Sequence, residues 1–160
     1  MKQKKISPHI AKLTSRRSFL LSGTESEPFL ERLITTNLPN HEEAQHSALL
    51  TAQGKYDFDF FLTRTKTAIR IETHKTDHDR LIEKLHHYQL GAKIEILPDP
   101  QTHTYAAWGE NLPAWQKDTR SPQMGARAAL TETPTNATEA DYTAWRIEHG
   151  IIDGEDMLSG

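Results

Sequence analysis

The chain has 160 residues, a formal net charge of -3 with neutral histidines, and 36% hydrophobic residues. That length fits one domain or two small interleaved ones. Acids and bases are mixed along it, which argues against a nucleic-acid binder with its basic stripe, and the basic stretch at residues 1–5 reads as a frayed end. There is no cysteine, so these residues build no disulfide, thiol nucleophile or cysteine-ligated metal centre; no apolar run suggests a membrane span or secretory signal, and a cytoplasmic protein is the expectation.

In chain order, residues 9–14 and 18–22 alternate as two strands around a basic turn at Ser15-Arg16-Arg17. Thr24 stands three residues before Glu27, a capping-box spacing that predicts a helix with Pro28 in its first turn. Phe29, Leu30, Leu33 and Ile34 give that helix one buried face, and it ends near residues 35–37. The stretch 49–72 reads as three short strands joined by turns at 52–55 and 63–66. Within it Phe58 and Phe60 share one face, while Asp57, Asp59 and Phe61 share the other. An antiparallel meander follows from that alternation.

Thr76 and Asp79 suggest the cap of a second helix carrying Leu81, Ile82, Leu85 and Tyr88 and stopped by Gly91. Residues 93–97 and 104–108 read as strands, 111–123 as a loop, 125–130 as a short strand and 131–138 as a flexible linker. Residues 140–149 form a third helix with Tyr142, Trp145 and Ile147. The order of elements is that of an α+β fold, helices packed on antiparallel sheets.

Two patterns invite chemistry. His74 and His78, with Asp77, Asp79 and His86-His87 nearby, have ligand-like composition, but the HExxH pattern is absent and a polar helix surface is the simpler reading; no metal site is assigned. Asp57 and Asp59 could serve acid–base chemistry only if burial drove their pKa values apart. No catalytic residue is assigned.

Five segments in order resemble a known family. FLERLITTN (29–37), SALLTAQGKYDFDF (47–60), LHHYQLGAKIEI (85–96), DTRSPQMGAR (118–127) and DYTAWRIEHG (141–150) are similar to the matching segments of the YgfZ-type folate-binding proteins and of the related aminomethyltransferase, the glycine cleavage T-protein. The resemblance implies ferredoxin-like α+β units as in the aminomethyltransferase folate-binding fold: residues 1–42 as the first strands and helix, 43–117 as a ferredoxin-like unit, and 118–160 as loop, linker and helix returning to the first unit. The family's C-terminal half and barrel are expected to be absent.

By the same resemblance the chain binds tetrahydrofolate and serves in iron–sulfur cluster assembly or repair in client proteins, with no metal of its own. An aminomethyltransferase-like enzyme transferring a one-carbon unit, and a remnant that binds nothing, are the alternatives. The implied ligand-binding residues are Asn37, Leu50, Thr51, Tyr142 and Arg146. Asn37 falls where the family carries an aspartate, which weakens the enzyme reading, and Arg146 equally suits a structural ion pair. A homo-oligomer covering open sheet edges is expected, with neither nucleic acid nor membrane as partner.

Overall fold

The structure, a computed structural model, describes residues 6–154 and residue 156. Its strands are β1 (His9–Lys12), β2 (Arg16–Ser22), β3 (Glu43–Leu50), β4 (Tyr56–Arg64), β5 (Ile69–His74), β6 (Glu95–Pro98), β7 (His103–Trp108), β8 (Gln116–Asp118) and β9 (Ala126–Leu130). The helices are α1 (Ser26–Glu31), α2 (His78–Gln89) and α3 (Glu139–Glu148), and a 3-10 turn spans Pro122–Met124. The strands form a curled nine-stranded sheet in the order β1-β7-β9-β8-β3-β4-β5-β2-β6. Each pairing is antiparallel except β3 with β8. The α+β architecture is the expected one.

The first apolar cluster sits where the alternation puts it. Phe19 and Leu21 of β2, Phe58, Phe60 and Leu62 of β4, and Ile69 and Ile71 of β5 turn to one side and meet Phe29 and Leu30 of α1 with Leu81 and Leu85 of α2. Each of the larger side chains contributes about 1.5–3 kcal/mol by leaving water. A second, smaller cluster joins Ala11, Leu13, Ala106, Trp108, Met124 and Tyr142, and it seats α3.

Several local readings need correction. Arg16 and Arg17 belong to β2 rather than to a turn, which falls at Thr14-Ser15, and Arg16 is buried. α1 starts at Ser26 behind Glu25, without a side-chain cap from Thr24, and Asn37 therefore lies well past its end. At α2 the N-cap is Asp77, while Asp79 bonds His78 instead. Leu90 itself takes the left-handed conformation (φ 39) ahead of Gly91. Pro98 is inside β6, tolerated because β6 is an edge strand whose proline sacrifices no ladder bond on its outer side.

The segment 111–123, polar and with two prolines, reads from sequence as a loop, but it contains a three-residue strand. In it, β8 runs parallel to β3, with Lys117 N donating to the Glu42 carbonyl at 2.8 Å and Thr119 N to that of Ala44 at 3.2 Å. Gly125 makes the following approach possible: at φ 76, a Cβ there would stand 2.0 Å from the Ala107 carbonyl oxygen. The expected linker at 131–138 is tied down too. Asn136 accepts from Ile10 N at 2.8 Å and donates to the Pro8 carbonyl at 2.9 Å, so its amide continues the edge of β1. Thr138 and Asp141 complete a capping box at α3. Glu139 then receives Thr14 Oγ1 at 3.0 Å, fixing α3 against the β1–β2 turn.

Candidate functional site

The face of β4 and β5 turned away from the first apolar cluster carries Asp59, Phe61 and Glu72, all buried. In an apolar setting each carboxylate would be costly, and each is met by hydrogen-bond partners, which for Glu72 are guanidinium groups. Glu72 lies between two arginines: Arg127 of β9 donates to Oε1 from Nε at 3.1 Å and from Nη2 at 2.5 Å, and Arg16 of β2 reaches Oε2 at 2.5 Å. The Glu72 register partner Ser18 and the β7–β9 pairing bring these strands together. Burial raises the Glu72 pKa, but the two guanidinium groups outweigh it and hold the carboxyl below its ordinary range.

Phe61 is the floor of this layer. The guanidinium carbons of Arg127, Arg120 and Arg16 stand 3.9, 4.7 and 5.9 Å from its ring centre, so its π face takes up positive charge that the carboxylates do not. Tyr142 links the layer to the second cluster. Its ring packs on Trp108 at 5.5 Å, and its hydroxyl accepts from Arg127 Nη1 and Arg120 Nη2, both at 2.9 Å. The hydroxyl therefore points into the protein, not to the surface.

Arg120 also grips Asp118, with Nη2 to Oδ2 at 2.8 Å and Nε to Oδ1 at 3.1 Å, and sends Nη1 to Asp153 Oδ1 at 2.8 Å. Arg146, 2% exposed, donates from Nη1 to the Ile151 carbonyl at 2.9 Å and to Asp156 Oδ2 at 2.7 Å, while its Nε lies 3.4 Å from Asp153 Oδ2. The ion-pair reading of Arg146 is thus what the geometry shows. Burial opposes ionisation of Asp153, yet Arg16, Arg120, Arg146 and Arg127 together depress its pKa.

Asp59 closes the row. It takes His46 Nε2 on Oδ2 at 2.9 Å and the Tyr56 hydroxyl on Oδ1 at 2.7 Å. Burial raises its pKa and these two bonds, with Arg16, bring it well below the usual carboxylate range. Burial and the bond to Asp59 push the Tyr56 hydroxyl up. Gly154 packs on the same pair, since a Cβ there would fall 2.0 Å from Tyr56 Oη and 2.1 Å from Asp59 Oδ1. Asp57 does not share this face: beyond the register shift at Leu49/Leu50 it pairs with Lys84 of α2 at 3.7 Å. The two aspartates therefore form no acid–base dyad.

Of the five residues implied by resemblance, the structure brings two together. Tyr142 and Arg146 both belong to the charged layer. Asn37 is exposed beyond α1; Leu50, 39% exposed, ends β3; and Thr51 turns back on Lys55, accepting its amide at 3.2 Å. Thr35 and Thr36 tie the Asn37 segment to Ala48 and Ser47 on β3. The residues that reading from sequence missed are Arg16, Glu72, Asp118, Arg120, Arg127 and Asp153, while Asp59 is a candidate there only in a pairing with Asp57. A signal for some of them was present: Asp118, Arg120 and Arg127 all stand in the DTRSPQMGAR segment.

As a ligand site the layer has one clear chemistry. Its arginine forks suit carboxylates. The space beside Glu72, Arg127 and Phe61 admits about one water molecule, so a pterin ring does not enter there in this arrangement. Elsewhere, His74 Nδ1 bonds Thr76 at 2.7 Å, and His78 bonds Asp79 at 2.8 Å while meeting Phe19 edge-on. Among the described residues no group of three or more histidine or acidic side chains gathers as for a metal ion.

No family model matches the chain. It is similar to three proteins named as mitochondrial iron–sulfur cluster assembly factor IBA57 homologs. That of Chaetomium globosum is 27% identical, with 93% of this chain and 45% of the relative covered. That of Pyricularia oryzae is 26% identical over 89% and 43%, and that of Neurospora crassa 27% over 94% and 43%. The chain thus spans less than half the length of these relatives. Among solved structures, the glycine cleavage system aminomethyltransferase T from Bartonella henselae superposes with a TM-score of 0.56 at 14% identity, covering 66% of this chain and 30% of that one. The expectation of a cytoplasmic protein is overturned, because these relatives are named as mitochondrial; a missing apolar signal is silent on import, which uses amphipathic, arginine-rich leaders. The resemblance to the YgfZ-type and aminomethyltransferase group holds, over part of that group's length, and the fold is the aminomethyltransferase one.

Proposed function

We propose that this chain acts in mitochondrial iron–sulfur cluster assembly, as a partial-length counterpart of the IBA57-type assembly factors. The observation that carries the reading is the match to proteins of that name across about nine-tenths of the chain. The fold by itself does not select a function. With no cysteine in its 160 residues, the chain offers no thiolate to a cluster. The cluster is then the cargo of partner proteins, and this chain's part is binding and positioning.

Tetrahydrofolate is the ligand proposed alongside, its glutamyl carboxylates directed to the arginine layer at Arg146 and Arg120, next to Tyr142; Asn37, Leu50 and Thr51 would line its other end. Asn37 supplies an amide where the enzyme reading needs a carboxylate, which disfavours one-carbon transfer. Self-association is proposed through β6, the sheet edge opposite the one that Asn136 continues.

The test is complementation: the 160-residue chain, directed to mitochondria of a Neurospora crassa strain lacking its IBA57 homolog, should restore the activity of an iron–sulfur-dependent enzyme. Absence of restoration, in a strain where the full-length homolog restores it, refutes the reading. Calorimetric titration with a reduced folate tests the ligand separately, and light scattering on that sample tests self-association.

A further inference from the structure

Four arginines converge on one buried layer, Arg16, Arg120, Arg127 and Arg146. The strands themselves bring three carboxylates to it: Asp59 on β4, Glu72 on β5 and Asp118 on β8. The remaining two, Asp153 and Asp156, come from a segment outside the sheet and beyond α3. Without that segment the layer holds one more cation than anion. With it the sign reverses.

The segment also differs in how it is held. Ile151 N donates to the Arg146 carbonyl at 3.0 Å and its own carbonyl accepts from Arg146 at 2.9 Å. Asp153 N donates to Asp156 Oδ2 at 3.0 Å, and Gly154 N approaches Asp59 at 3.4 Å. Ile151 packs on the second cluster, whereas Ile152 is 63% exposed. Beneath this thin, largely polar cover the Arg120 and Arg146 side chains are only 7% and 3% exposed. Carboxylate–guanidinium contacts are thus part of the attachment, beside the backbone bonds and Ile151, and an external carboxylate can replace those contacts one for one.

We infer that Arg120 and Arg146 form a binding site for a small dicarboxylate anion, a site that the chain's own Asp153 and Asp156 occupy in the ligand's place. A dicarboxylate is the class that fits because the segment withdraws two negative charges together, and because the arginine forks are planar and spaced on two separate elements, the β8–β9 connection and α3. Tyr142 Oη accepts from both Arg120 and Arg127 and so holds the Arg120 fork in place. Gly154 is the position that lets the segment lie flat on Tyr56 and Asp59. The inference deepens the proposed ligand site, since it concerns the same two arginines, but it does not need folate: a free dicarboxylate and a glutamyl tail share the chemistry.

The experiment is calorimetric titration of the 160-residue chain with glutarate at constant ionic strength, beside the D153N/D156N variant. The variant is expected to bind at least about ten-fold more tightly than the unaltered chain, since no internal carboxylate competes, and R120Q in that background abolishes binding. In the unaltered chain, glutarate is expected to accelerate hydrogen exchange at the Gly154 amide, and this arm decides the matter if the variant fails to fold. Equal affinity in both proteins, binding by neither, no acceleration at Gly154, or equal acceleration by sulfate each overturns the inference. Reduced folate in parallel separates the sources. Competition with glutarate identifies a glutamyl tail as the ligand, and glutarate binding where folate does not bind upholds the site while removing the folate reading.

Discussion

On one face of β4, Phe58, Phe60 and Leu62 are 2%, 3% and 0% exposed against α2 and its neighbours; on the other, Asp59 and Phe61 are 7% and 3% exposed. Burial is equal, yet the neighbours are opposite in kind. The first face is stabilised by apolar area and by close packing, which is non-directional and tolerates exchange of one hydrocarbon for another. The second is stabilised by a chain of matched charges in which each carboxylate and guanidinium depends on a specific partner. One alternating strand thus separates a layer of hydrocarbon from a layer of matched charges.

The contrast is broken most severely at Glu72. Glu72→Ala leaves Arg16 and Arg127 buried without their shared carboxylate, and a loss of about 3–5 kcal/mol is expected by urea denaturation; a loss below about 1 kcal/mol would show that water replaces the carboxylate freely. Leu62→Ala on the opposite face is expected to cost about 2–5 kcal/mol, the hydrocarbon and cavity terms together. Similar totals should hide different origins, and pH separates them.

Asp59, Glu72 and Asp153 all have pKa values depressed in the folded protein. Their stabilisation is present above the unfolded carboxylate pKa, near 4, and is lost as pH falls through their lower folded values. Denaturation curves are therefore expected to hold steady from about pH 7 to 5 and to weaken steadily below about pH 4. Leu62→Ala should shift that profile down without changing its shape, whereas Asp59→Asn should flatten it. An unchanged slope in Asp59→Asn would count against the charged layer as the source of acid sensitivity.

Two smaller effects sharpen the comparison. Thr138→Ala removes the cap of α3, the helix that carries Tyr142 and Arg146; about 1 kcal/mol is expected from thermal denaturation. Lys84→Ala removes a half-exposed pair with Asp57 at 3.7 Å and should change stability by no more than about 0.5 kcal/mol. If Lys84→Ala matched Thr138→Ala, exposure would not be what separates strong from weak charge pairs in this protein.

How much of this was readable beforehand depends on the range of the interaction. Phe58, Phe60 and the alternation of 69–71 announced the first cluster, and the 3.6-residue spacing of Leu81, Ile82 and Leu85 announced α2, because periodicity records which side of an element is buried. The same periodicity set Asp59 and Phe61 on the other side but said nothing of what they would face. The basic run Ser15-Arg16-Arg17 reads as the turn between two strands, and Arg120 falls in a polar segment with two prolines that reads as a loop. Tyr142 and Arg146 were found through resemblance, not through spacing, and Asp153 and Asp156 carried no pattern.

By itself, then, the sequence determined the secondary structure of the long alternating and amphipathic stretches, the face each buries, and the resemblance to the YgfZ-type and aminomethyltransferase group. Only the tertiary structure decided the charged layer. Its members lie at positions 16, 59, 72, 118, 120, 127, 142, 146, 153 and 156, and the parallel β3–β8 pairing with the return of α3 to the β1–β2 turn brings most of them together. Local alternation fixes the direction of a side chain relative to its own strand, but the partner of a buried charge is chosen by the crossover connections, and those are set by the packing of the whole molecule.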